Sequence, residues 1–172
     1  MMDQEARIFL EEQHRQILQL VGQNDFLEVI TPQRFPSQEF WLSMLVRGLA
    51  CCEGQIQFAH GLNFRIRLND DYLIRADSRE ILEYLGPHEE PWHPNIHGRG
   101  IFAPISPGQG LVEIVRMCFN IWTWNQYYEQ DSERNQQVLD WARSQPAGRF
   151  PVEGRTLTWC HTCCAAPICP SL

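Results

Sequence analysis

The chain has 172 residues, 44% of them apolar, with nine Phe and six Trp, which suffices for one substantial core, so a single domain is expected. Its 14 basic residues against 21 acidic ones give a formal net charge of -7, which disfavours nucleic acid or an anionic membrane as partner. Every basic residue is arginine and none is lysine, so the amino terminus is the one conventional amine nucleophile.

No stretch approaches the roughly 20 apolar residues of a membrane span, and the charged start does not have the basic-then-apolar order of an export signal. Seven cysteines without such a signal read as reduced thiols or metal ligands, so a soluble, cytoplasmic protein is expected.

Over 3–21, Phe9, Ile17, Leu20 and Val21 recur at helical spacing, and Gly22 follows as a stop signal. Residues 26–30 and 39–49 are rich in branched and aromatic side chains and predict two strands, separated by turn chemistry at Thr31-Pro32 and Phe35-Pro36-Ser37. Residues 62–68 alternate apolar and polar without a break, predicting a strand with one buried face. The apolar run 81–85, closed by Gly86-Pro87, predicts a fourth. From 87 to 110 the chain is rich in proline and glycine and has neither period, which marks a long ordered loop of the kind that carries function. Leu111, Ile114, Val115, Cys118, Ile121 and Trp122 then fall on one wide helical stripe. A last helix, capped by Asp131 or Ser132, is expected through Arg143, with Val138, Leu139 and Ala142 inward. The expected fold class is therefore α+β: an N-terminal helix, a four-stranded antiparallel meander, a functional loop and C-terminal helices. It spans 1–150, followed by a cysteine-containing tail over 151–172.

The loop contains Trp92-His93-Pro94-Asn95-Ile96, and Gly100-Ile101 follows. With the element order around it, over roughly 3–143, this run resembles the ubiquitin-conjugating enzyme family. Divergent sequences of this look are similar to those of bacterial operons for ubiquitin-like conjugation, some tied to antiphage defence. The resemblance implies a UBC-like fold whose partners are a ubiquitin-like protein and its adenylating activating enzyme, with no cofactor. It also implies that Asn95 orients the loop and stabilises the oxyanion formed when an amine attacks a carried acyl group, as a preorganised amide donor can. His93 and Asn95 would in addition hold the loop through backbone hydrogen bonds. Two departures stand out. Phe102 and Ala103 occupy the stretch where the family has its cysteine, and Tyr72 is followed by Leu73 where the family tends to have a Tyr-Pro flap.

Three consequences compete. Ser106, the one hydroxyl residue between Asn95 and the following helix, could carry the ubiquitin-like protein as an oxygen ester, with His97 as base. Alternatively the domain has lost its chemistry and binds as a scaffold. A nucleophile could also come from elsewhere, including the tail. Asp131, with Tyr127 and Tyr128 nearby, is the candidate for orienting an acceptor amine, and its ordinary reading is a helix cap. Cys118 reads as core packing and Cys51-Cys52 as a hairpin position. Cys160 and Cys163 have the two-residue gap of zinc sites, and Cys164 and Cys169 add soft ligands. Without a second properly spaced pair, no metal is assigned.

Overall fold

In the computed structural model the described residues are 4–30, 35–129 and 133–160, the side chains of residues 133 and 134 aside. Among these residues four helices and six strands follow in the order α1 (Gln4–Gln23), β1 (Leu27–Ile30), β2 (Glu39–Cys52), β3 (Gln55–Arg67), α2 (Ser78–Ile81), β4 (Leu82–Gly86), β5 (Ile96–His97), β6 (Gly100–Ile101), α3 (Leu111–Trp122) and α4 (Glu133–Arg143). The molecule is α+β, with one open antiparallel sheet in the order β1-β2-β3-β4-β6-β5.

The first helix turns one face inward through Leu10, Gln13, His14, Ile17 and Leu20, spaced by threes and fours as a helix repeat requires. On the other face, Arg7 reaches Glu11 at 2.9 Å and Arg15 pairs with Glu12, the near neighbours of a helix surface. β2 and β3 form a long hairpin whose two-residue turn, Glu53-Gly54, has both φ values positive at 52° and 76°. Such a turn matches the twist of paired strands, and glycine adopts it without strain.

Both hairpin strands run further than their periodicity predicts. Expected over 62–68, β3 begins at Gln55, because its first half pairs residue by residue with the end of β2 although Ala59 and His60 break the apolar alternation. The sheet also has six strands rather than four. Within the loop expected to be irregular, Ile96–His97 and Gly100–Ile101 close a small hairpin around Gly98, whose φ is 56°. Pairing of Glu83 with Gly100 joins it to β4. Strands of two residues are too short to show a period of two, and the edge of β4 supplies what the sequence pattern lacks. The four-residue α2 was likewise not anticipated; Asp77 starts it by accepting the Arg79 backbone N–H at 2.9 Å.

Register sorts the side chains cleanly. Val29, Leu42, Phe64 and Tyr84 stand opposite one another across β1 to β4, and the last three are buried. The neighbouring row, Ile30, Trp41, Arg65, Glu83 and Gly100, lies on the outer face. Against the inner face packs α3, with Leu111, Ile114, Val115, Cys118, Ile121 and Trp122 all buried as the stripe predicts. α1 completes the same cluster through Leu10, Ile17 and Leu20. Each large apolar side chain buried this way contributes about 1.5–3 kcal/mol.

A second, aromatic cluster gathers Leu49, Trp92, Trp124, Val138 and Val152, with Trp141 and Phe150 packed on it. It fastens the loop and α4 to the end of β2. Residues 151–160 run in irregular form along the body. Val152 N–H donates to Thr123 O at 2.9 Å, and Thr158 and Cys160 are held from the end of α1. Among the described residues no helix is long and apolar enough to cross a membrane.

Candidate functional site

The approach to His93-Pro94-Asn95 is laid along the end of β2. Cys51 N–H donates to Glu90 O at 2.9 Å, and Trp92 N–H donates to Leu49 O at 2.8 Å. The Trp124 indole then donates to Trp92 O at 2.8 Å, and the His93 ring meets Trp124 edge-on with centroids 4.7 Å apart. His93 is 1% exposed. Its Nδ1 accepts the Asn95 backbone N–H at 3.0 Å, which places the ring proton on Nε2. Burial pulls the pKa of His93 down to about 3, with the Gln126 backbone opposing the shift. Burial keeps the ring neutral, so it acts as a wedge packed on Trp124 rather than a proton carrier.

Asn95 is 2% exposed and spends its amide on one residue. Its Nδ2 donates to Tyr128 O at 2.7 Å, and its Oδ1 accepts the Tyr128 N–H at 2.7 Å. The loop after α3 is thereby clamped to the motif. The Asn95 carbonyl accepts Phe102 N–H at 2.8 Å, closing the base of the small hairpin.

Ser106 lies in a different environment. Its N–H donates to Gln109 Oε1 at 2.9 Å and its carbonyl accepts the Gln109 N–H at 3.1 Å, so it sits on a stitched turn before α3. That turn is tied to Tyr72, whose carbonyl accepts Gly108 N–H at 3.2 Å and whose hydroxyl donates to Gln109 O at 2.7 Å. Ser106 is exposed, and among the described residues no hydrogen bond joins it to Asn95 or His97. His97 is exposed on β5, beside a cavity of about 750 Å³ that Asn95 also borders and Ser106 does not. Where the resemblance leads one to expect a cysteine, Ala103 is buried and Phe102 lines that cavity.

Of the remaining candidates, Asp131, Cys163, Cys164 and Cys169 lie outside the described residues. Tyr127 is exposed, while Tyr128 is half-buried and its backbone meets Asn95. Burial pushes the Cys118 thiol far up, which keeps it protonated and unreactive within the core. Cys51 is raised too, first by burial and then by the neighbouring Glu90. Among the described residues no group of three or more His, Cys, Asp or Glu is placed to hold a metal ion.

Two features escaped sequence reading. The partner of Asn95 is a backbone, and no residue type announces that. The cavity is ringed by Arg65, Arg67, Arg79 and Arg99, from β3, α2 and the β5–β6 turn. Arg65 and Arg67 are two apart on an alternating strand, and that spacing was the available signal for two guanidinium groups on one face. The chain matches no family model, no curated protein and no solved structure.

Proposed function

We propose that the domain works in a ubiquitin-like conjugation pathway as a conjugating-enzyme-like binding module, recognising a ubiquitin-like protein or its activating enzyme without carrying the acyl group. The motif and the helix, sheet, loop and helix order that suggest the family support the pathway. The observation that favours binding over carrying is the Asn95 amide. It is buried and bonded in both directions to the Tyr128 backbone, as a structural clamp is, and not aimed at a nucleophile.

A second reading keeps the chemistry: Ser106 carries the ubiquitin-like protein as an oxygen ester. Its support is the exposed position of Ser106 on a firmly stitched turn. Under that reading the second Nδ2 hydrogen of Asn95 would have to serve the oxyanion, and the 124–129 segment would have to yield.

One reaction separates the two. The protein is incubated with a ubiquitin-like protein, the matching activating enzyme and ATP, and resolved with and without thiol reductant. The binding reading expects complex formation by chemical-shift titration and no covalent adduct. An adduct that survives reductant, yields to hydroxylamine or mild base, and disappears in Ser106→Ala would overturn it in favour of the ester. No association with either partner would end both.

A further inference from the structure

We infer that the cavity between the outer face of β3, α2 and the β5–β6 turn is a site for a phosphate monoester dianion. The molecule as a whole carries a formal charge of -7, yet four arginines and only two glutamates, Glu80 and Glu83, line this concavity. The arginines come from three elements that only the fold brings together. Arginine is the side chain whose planar fork of donors matches a phosphate, and a dianion balances the local excess of positive charge.

The ordinary alternative is a solvated face of ion pairs, and the pairing pattern argues against it. Glu39 Oε1 alone accepts from Arg65 Nη1 at 3.1 Å and from Arg67 Nη2 at 2.8 Å. Glu83 is in turn shared between Arg65 and Arg99. Two carboxylates thus serve three guanidinium groups and leave donors unfilled. Arg79, the fourth, forms no ion pair with any described residue, while its neighbour Glu80 is engaged by Arg75 at 3.0 Å. The nearby acids are committed elsewhere: Asp77 caps α2 through the Arg79 backbone, and Asp70 accepts from the Gln38 amide at 2.6 Å.

Placement is also pre-set. The Arg65 side chain, its guanidinium over the Trp41 ring at 6.0 Å and between two glutamates, is only 25% exposed. The half-buried Phe102 gives the cavity an apolar part, and about 750 Å³ exceeds what a bare phosphate needs. There is room for the small molecule or peptide residue that bears it. Phosphate recognition here would serve the domain whether or not it acts in conjugation.

The test is a titration of the intact protein with inorganic phosphate, O-phosphoserine and AMP, followed on the arginine Nε–Hε resonances, with sodium chloride at matched ionic strength as control. Saturable shifts at Arg65, Arg67, Arg79 and Arg99 are expected. AMP or O-phosphoserine binding more tightly than inorganic phosphate would assign the apolar part of the cavity to the group bearing the phosphate. Arg79→Gln, at an exposed residue without an ion pair to any described residue, should weaken binding about tenfold, the loss of one charge-assisted hydrogen bond. Arg143→Gln, on α4, should leave binding unchanged. Shifts that do not saturate, that chloride reproduces, or that persist in full in Arg79→Gln would overturn the site.

Discussion

One residue-scale device recurs in this molecule: a side-chain amide closing two hydrogen bonds on a single backbone residue. Asn95 does so with Tyr128, Asn24 with Thr158 at 2.8 Å in both directions, and Gln23 with Cys160 at 2.9 and 3.0 Å. Each imitates a strand partner where the chain has none. Removing the Asn95 side chain leaves a peptide N–H and C=O to find new partners, so Asn95→Ala should lower stability by about 2 kcal/mol in urea unfolding. The same change should speed amide exchange at Tyr128. His93 carries a pH signature. Its folded pKa of about 3 lies below the ordinary 6.5, so between those values the unfolded chain binds a proton that the folded ring refuses. Stability is therefore complete above about pH 6.5 and declines as pH falls toward 3, by about 1.4 kcal/mol per unit. Urea midpoints at pH 7, 6 and 5 check this, and His93→Gln should flatten the trend. Glu153 acts in the same direction at lower pH: Arg155 holds its pKa at about 2 against 4.5, so its contribution fades only in stronger acid.

Among the elements, α3 packs tightly on β2 at Gly48. A Cβ at Gly48 would meet the Trp122 ring at 2.2 Å, with the indole also donating to Val46 O at 3.1 Å. No glycine-specific φ is involved; the demand is for space. Gly48→Ala should cost about 1–3 kcal/mol or more, read as a lowered urea midpoint, and Trp122→Phe in the same chain should recover part of it. The start of α3 shows how elements complete each other. Gly110 offers no side-chain cap, and Gln13 of α1 accepts the Leu111 N–H at 2.6 Å instead. The stripe of α3 was legible because twelve residues repeat their period more than three times. The β5–β6 hairpin was not, because two-residue strands have no period to read.

At the scale of the whole molecule, the described residues form two apolar clusters, joined through the sheet and closed by residues 151–160. That segment buries Val152 in the second cluster, packs Leu157 and Trp159 on the first, and is held by polar contacts as well. Arg155 donates to Leu45 O at 2.6 Å and lies over the Phe26 ring at 5.1 Å, and Glu153 accepts the Arg47 N–H at 2.7 Å. Asn24→Ala should therefore release its end first. Amide protection at Thr158 should fall while the centre of β3 keeps its own, with global stability reduced by about 1–2 kcal/mol. Equal loss of protection at both places would show that the segment and the sheet open as one unit.

What the amino-acid order determined by itself is the α+β class, the first four strands as consecutive neighbours, the inward stripe of α3 and the motif at His93-Pro94-Asn95. All of these rest on periods or residue types repeated within a short stretch of chain. What only the tertiary structure decided is where the motif's groups point: Asn95 to the backbone of Tyr128, Ser106 to the turn beside Tyr72, and four arginines from three elements to one cavity. Such pairings join residues far apart along the chain through backbone atoms common to every residue, and no local pattern encodes them.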